Sequence, residues 1–140
     1  MKNELHILLS TLLKKSEQIE EEQMKRPELN DLTYRQLYCL EIIGELHNPT
    51  LTELSEHLDI TKPSVSAMID KLNEKGFVAK IKSDVDRRSA HLHLSELGEK
   101  AGALHEKVHM EFAKLLTKNL TESEIDILTV LLKKAIKVFD

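Results

Sequence analysis

A single change of hydrophobic periodicity between residues 50 and 94 limits this chain to a small set of folds. Two short segments, 51–58 and 62–74, carry apolar residues at helical spacing, and a gap of only three residues separates them. After Gly76 the pattern alternates at strand spacing in 77–81 and again in 90–94, on either side of a charged loop. Two helices joined by a tight turn and followed by a hairpin predict a helix-turn-helix with a wing.

Residues that favour helix ends support these boundaries. A threonine with Glu or Gln three residues later, the capping-box signature, opens the segments that begin at Thr33, Thr50 and Thr121. Pro63 suits the first turn of the helix that stops near Gly76. The signals predict helices near 2–25, 33–46, 51–58, 62–74, 96–118 and 122–139.

The predicted fold is therefore mainly α, with six helices and a small β-hairpin wing, in a single domain over 1–140. A chain of 140 residues can bury a core without disulfides or metal. The terminal segments, 1–32 and 96–140, are amphipathic and carry more apolar surface than a small winged region can cover. We expect them to be dimerisation helices around a DNA-binding region, 33–95; the alternative is that they fold back on their own domain.

The distribution of charge matters more here than its total of −4. Residues 62–91 hold seven Lys or Arg and four Asp or Glu, which gives a net charge of +3. The rest of the chain holds 13 Lys or Arg and 20 Asp or Glu, which gives a net charge of −7. The middle of the chain thus has the charge expected of a nucleic-acid binder. A lone cysteine suits a reducing compartment, and no apolar run approaches the roughly 18 residues of a membrane span, so we expect a cytoplasmic protein without a membrane partner.

The helix over 62–74 has the composition of a recognition helix. Its apolar positions Val65, Ile69 and Leu72 are expected to face the core. Small hydroxyl and apolar side chains on the other face can read base edges and thymine methyl groups in a major groove. The residues predicted to face DNA are Lys62, Pro63, Ser64, Ala67, Met68 and Lys71.

The charged loop between the strands is predicted to be the tip of the wing. It carries Arg87 and Arg88, and guanidinium groups are attracted to the narrow minor groove of A·T-rich DNA. Asp86 is expected to orient one of them through a charge-assisted pair. Which arginine enters the groove stays open.

Three segments, 72–80, the Asp-Val-Asp-Arg-Arg-Ser loop at 84–89, and 92–98, together resemble the MarR family of transcriptional regulators. The resemblance follows the family's order and spacing along essentially the whole chain. It implies a dimer whose first, fifth and sixth helices interdigitate, with two winged domains on a palindrome. Ser95 replaces the commoner threonine of the family, and its hydroxyl can still cap a helix.

His105 and His109 are the candidate effector residues, because i, i+4 spacing lets two imidazoles share a ligand. Their positions resemble a histidine pair in the zinc-sensing branch of the family, and also the fatty-acid-synthesis repressor branch, which senses acyl-carrier protein. The zinc branch also needs a Cys near 20–26, which is missing, and a His where Tyr38 stands. Structural packing, an acyl-related ligand and zinc therefore stay open, and no resident cofactor is expected. The effector pocket is expected to be mostly apolar.

Three other residues have plainer interpretations. Cys39, in the middle of the second helix, is expected to be an inert core thiol. His91 and His93 share one face of a strand and are expected to be solvated or close to phosphate rather than metal ligands.

These features predict a sequence-specific double-stranded DNA-binding regulator, a repressor, that acts as a homodimer on a palindromic operator under a small-molecule or acyl-carrier effector. A zinc-responsive repressor that uses His105 and His109 is the alternative. An enzyme is not expected, since the chain has neither a Gly-rich phosphate loop nor a nucleophile flanked by glycines. A winged-helix scaffold without DNA binding is the remaining class, and the two wing arginines argue against it.

Overall fold

Six helices and one hairpin make up the described part of the chain. The computed structural model describes residues 2–29, 31–82 and 89–140. In chain order the elements are α1 (Lys2–Met24), α2 (Tyr34–Glu45), α3 (Leu51–Leu58), α4 (Lys62–Glu74), β1 (Val78–Lys82), β2 (Ala90–Leu94), α5 (Glu96–Thr117) and α6 (Glu122–Ile136). Short 3-10 helices, Pro27–Leu29 and Lys137–Phe139, follow α1 and α6. The predicted fold class is confirmed, and apart from the end of α6 the boundaries lie within one residue of those expected.

Threonine hydroxyls cap the helices where the sequence predicts. At Thr33 and Thr121 both halves of the capping box form. Each threonine hydroxyl accepts from the backbone N–H three residues later, and the threonine N–H donates to the side-chain oxygen of that residue, Gln36 or Glu124. At Thr50 the hydroxyl accepts from the N–H of Glu53 at 3.1 Å, but among the described residues the Thr50 N–H donates no hydrogen bond to the Glu53 carboxylate. This box is therefore only half formed.

The turn between α3 and α4 is tight and held by polar contacts. Asp59 ends α3 in the left-handed conformation, with φ of 52°, and reverses the chain. The Ser55 hydroxyl donates to the carbonyl of Ile60 at 3.0 Å. Both helices pack their apolar faces into one core, whose most completely buried side chains are Leu40, Leu54, Val65, Ile69, Leu72 and Leu92.

The hairpin is anchored to the body of the fold at its base. The strands are antiparallel, with Val78 opposite Leu94 and Lys82 opposite Ala90. The N–H of Leu92 donates to the carbonyl of Pro49 at 2.8 Å, so the segment before α3 pairs with the outer edge of β2. The wing is therefore attached both to the start of α3 and to the end of α4.

Two compact units divide the chain, Met1–Val108 and His109–Asp140. The first unit contains the core described above. In the second, residues 109–140 are all described and none of their side chains is buried, although the segment is rich in Ile, Leu and Val. Within the described ranges, none of the helices combines the length and apolar character that a membrane span requires.

Candidate nucleic-acid interface

The recognition helix α4 is fixed along its inner face. Val65, Ile69 and Leu72 are each 0% exposed, as the helical spacing predicts. Thr61 caps the helix by accepting from the N–H of Ser64 at 3.3 Å, and proline stands in the first turn. A helix held this firmly presents its outer face in one orientation, which a reader of base edges requires.

Five of the six predicted DNA-facing residues lie exposed on the outer face of α4: Lys62, Pro63, Ser64, Ala67 and Lys71. Within residues 2–29, 31–82 and 89–140, neither lysine is paired with a carboxylate, so both ammonium groups are available to phosphate. The Ser64 oxygen accepts from the Thr61 hydroxyl at 2.8 Å, which leaves the Ser64 O–H free to donate to an acceptor on a base.

Met68 is placed differently from its five neighbours. It is half-buried and packs against the core. With Tyr38, Leu58 and Ile60 it lines a small cavity of about 140 Å³. Only part of this side chain therefore reaches the exposed face, because the helix rotation that buries Ile69 also turns Met68 partly inward.

One ion pair joins the wing to the recognition helix. Lys80 Nζ on β1 lies 2.8 Å from Asp70 Oδ1 on α4. The sequence does not predict this pair, since nothing in the spacing of 70 and 80 shows that a strand turns back beside a helix. The predicted wing residues Asp86, Arg87 and Arg88 lie outside the described residues, and their roles stay predictions.

The base of the wing is tied to the start of α5 by Ser95. Its hydroxyl donates to the Gly76 carbonyl at 2.6 Å and accepts from the Gly98 N–H at 3.1 Å. Ser95 therefore caps the helix, as expected for the residue that stands in place of threonine. His91 is half-buried and its Nδ1 lies 2.9 Å from the Asn48 carbonyl, so it holds the strand to the preceding turn rather than lying in solvent.

A cluster of polar side chains surrounds the first candidate effector residue, which is itself buried. His105 on α5 is 1% exposed, and its Nδ1 is hydrogen-bonded to the Glu41 carboxylate on α2. The rings of Tyr34 and Tyr38 meet the imidazole edge-on, with centroids at 5.2 and 6.2 Å. The Tyr34 hydroxyl donates to Glu20 of α1 at 3.2 Å, and burial, followed by the nearby Glu20 carboxylate, raises the pKa of Tyr34 to about 12.

His105 was predicted as a candidate from the sequence, but its partners were not. Tyr34, Tyr38 and Glu41 follow i, i+4, i+7 spacing and share one face of α2, which is the signal that could have found them. His109 is exposed, one turn further along α5 and in the second unit. Carboxylate and imidazole are suitable zinc ligands, and the first unit supplies one of each in Glu41 and His105.

A cleft in the first unit has a more polar lining than the apolar effector pocket that the sequence predicts. It has a volume of about 620 Å³ and lies between α2, the end of β2 and the start of α5. Leu40 and Ile43 contribute to its lining, but so do four glutamates, at positions 41, 45, 99 and 106, and the half-buried His93. The polar side chains of two facing helices converge on this cleft, which separate helical patterns do not reveal.

Cys39 is placed as the sequence predicts. Its side chain is buried in the core, and burial raises the pKa of the thiol to about 12. The nucleophilic thiolate is therefore scarce near neutral pH, in line with an inert packing role.

A helix pair with a tight turn, an exposed second helix and an attached hairpin define a winged helix-turn-helix protein. The model of the MarR family matches residues 32–90, which span this motif. This part of the chain is therefore similar to the MarR family. The chain is 31% identical over 80 residues to YpoP, an uncharacterized HTH-type transcriptional regulator of Bacillus subtilis strain 168, with 54% of this chain and 57% of the relative covered.

A second regulator of the same bacterium, YhjH, is 24% identical over 82 residues, which span 59% of this chain and 47% of that protein. The chain thus spans about half the length of the curated relatives it matches. Both relatives are described as uncharacterized HTH-type transcriptional regulators.

Solved structures share the fold over nearly the whole chain. Streptococcus pneumoniae FabT in complex with DNA has a TM-score of 0.87 and 22% identity, with 99% of this chain and 97% of that chain covered. A MarR mutant from E. coli complexed with operator DNA has a TM-score of 0.65 and 28% identity, with 94% and 93% covered. The similarity to FabT supports the fold alone; that to MarR agrees with the family match.

Proposed function

We propose that the protein is a sequence-specific double-stranded DNA-binding transcriptional repressor that acts as a homodimer on a palindromic operator, with effector-modulated binding. The main observation in favour of this proposal is that α4 has one fully buried face and one exposed face. Its inner residues Val65, Ile69 and Leu72 are completely buried, while its outer face exposes two lysines and small polar or apolar side chains. A related fold, the MarR mutant from E. coli, has been solved in complex with operator DNA, which supports the same role here.

The homodimer is supported by apolar surface that the single chain leaves uncovered. On α1 the exposed leucines include Leu5, Leu8 and Leu13. The second unit exposes Leu131, and Phe139 is 86% exposed. Helices normally need a packed apolar face to be stable, so a second copy is the occupant we assign to these surfaces. We retain 1–32 and 96–140 as dimerisation helices and 33–95 as the DNA-binding region.

Electrophoretic mobility shift with the upstream region of the protein's own gene tests DNA binding. A shift that weakens steeply with salt is expected, and no shift at any salt concentration would favour the protein-binding scaffold. The double variant Arg87→Ala with Arg88→Ala is expected to lower affinity and reduce the salt slope by about one to two released counterions. Lys25→Ala with Arg26→Ala removes the same charge outside the winged region and should leave the slope unchanged.

A small molecule or an acyl-carrier protein is the effector class that we carry forward. The 620 Å³ cleft lies within the usual size range for small-molecule sites, and it adjoins α2 and α5, which also hold the Glu41–His105 pair. The same mobility shift with and without long-chain acyl-carrier protein tests the acyl alternative. Binding that is unaffected by it would leave a small molecule as the effector.

A zinc-responsive repressor is the second candidate. The hydrogen bond between Glu41 and His105 favours it, and the i, i+4 spacing of His105 and His109 in the sequence predicts a second imidazole ligand. Calorimetry with Zn²⁺ should then show saturable binding that His105→Ala abolishes. Absence of saturable binding by the wild-type protein would reject this candidate and leave the repressor proposal intact.

A further inference from the structure

We propose that the Asp70–Lys80 ion pair is a positioning element, which fixes the direction of the wing relative to the recognition helix α4. This inference rests on the proposed DNA binding. It concerns two residues to which neither the sequence motifs nor the comparisons assign a role.

The geometry places the pair where the wing leaves the body of the fold. In β1 only Val78 is buried, and the other four residues are exposed. Val78 and Lys80 share one face of the strand because side chains alternate. Among the described residues, the 2.8 Å contact between Lys80 and Asp70 is the only ion pair or hydrogen bond that a side chain of β1 makes with α4.

Because Lys80 lies at the centre of the hairpin, its contact with Asp70 affects the direction of both strands. Lys80 lies opposite Leu92, in the middle of the two-stranded ladder. A two-stranded ribbon is marginally stable and twists easily unless another element supports it. A contact at the middle of β1 therefore limits the directions that the two described strands can take relative to α4. In the sequence, the arginines predicted to enter the minor groove lie between these two strands.

The charge of Asp70 makes the proposal sharply testable. A carboxylate on α4, close to a DNA backbone, would repel phosphate, so simple electrostatics predicts that its removal strengthens DNA binding. A positioning role predicts the opposite sign, because Asp70→Asn releases Lys80 and the wing. Both side chains are partly exposed, at 59% for Asp70 and 31% for Lys80, so the pair contributes little to folding, and its removal should leave the fold intact.

The experiment is a double-mutant cycle on operator affinity, with the wild-type protein, Asp70→Asn, Lys80→Gln and the double variant at one salt concentration. We expect Asp70→Asn to weaken binding by about threefold to tenfold, within the range found for coupled neighbouring residues. The double variant should bind no more weakly than Lys80→Gln alone. Glu74→Gln removes a carboxylate from the same helix without touching the pair, and it should bind as tightly as the wild type or slightly more tightly.

Two results would overturn the positioning role while DNA binding stands. One is an Asp70→Asn variant that binds as tightly as the wild type or more tightly; the other is strictly additive effects of the two single changes. A wild-type protein that binds no fragment at any salt concentration would instead overturn the proposed function, and the positioning role with it. Thermal unfolding of each variant checks that the fold is retained.

Discussion

Gly98→Ala is expected to destabilise the protein, although the same change usually stabilises a helix. Gly98 is buried in the first turn of α5, next to the chain that enters the wing. A Cβ added there would lie 2.1 Å from the carbonyl oxygen of Phe77 and 3.1 Å from its carbonyl carbon. These are backbone atoms, so the clash cannot be relieved by a rotamer change.

The magnitude follows from two opposing contributions. Alanine in place of glycine favours a helix by roughly 1 kcal/mol. Against this, the start of α5 must move by about 0.9 Å to bring the Cβ from 2.1 Å to even the 3.0 Å limit of observed contacts. Overpacking of this kind costs about 1–3 kcal/mol, and the shift weakens the Ser95 cap, which adds about 1 kcal/mol. The expected net loss is about 1–3 kcal/mol, or a fall in Tm of several degrees.

Thermal unfolding at one fixed protein concentration measures this loss, and Gly102→Ala is the matched control. Gly102 is buried on the same helix, but a Cβ there would lie at 3.5 Å or more from its neighbours, which is ordinary contact. We expect this control to be neutral or stabilising by up to about 1 kcal/mol. If Gly98→Ala melts at or above the wild-type temperature, the close approach between α5 and Phe77 is refuted.

Three further predictions concern the core, the C-terminal helix and the buried pair. Because the pKa of Cys39 is raised to about 12, a thiol reagent near neutral pH should label it slowly in the native protein and rapidly in urea; equal rates would contradict its burial. Truncation before Thr121 should leave a poorly soluble monomer in sedimentation analysis, whereas a well-behaved DNA-binding monomer would rule out the dimer argument. His105→Ala should lower the free energy of unfolding in urea by about 3–5 kcal/mol, since it leaves a cavity and a Glu41 carboxylate only 15% exposed without its partner. The double variant His105→Ala with Glu41→Gln should recover part of that loss. If the free-energy changes of the two single variants simply add in the double variant, the two side chains are not coupled.

Local sequence determined where the elements of this protein begin and end. The Thr33 and Thr121 capping boxes, the helix cap at Thr61 and the turn at Gly76 all depend on residues within a few positions of one another. The inner face of α4 was equally readable, because a period of 3.6 residues fixes which side chains share a face. The class of the protein, which follows from the order of these elements, was therefore predictable from the chain.

Only the tertiary structure decided which distant residues meet. Glu41 and His105 are 64 positions apart, and Asp70 and Lys80 belong to elements of different type. The partly inward turn of Met68, the acidic lining of the cleft and the close approach of Gly98 to Phe77 depend likewise on how elements pack. Periodicity specifies the face of a helix but not its crossing angle or its axial position against a neighbour. Side-chain packing of the whole core sets those two quantities, and with them the ion pairs, cavities and close contacts of this fold.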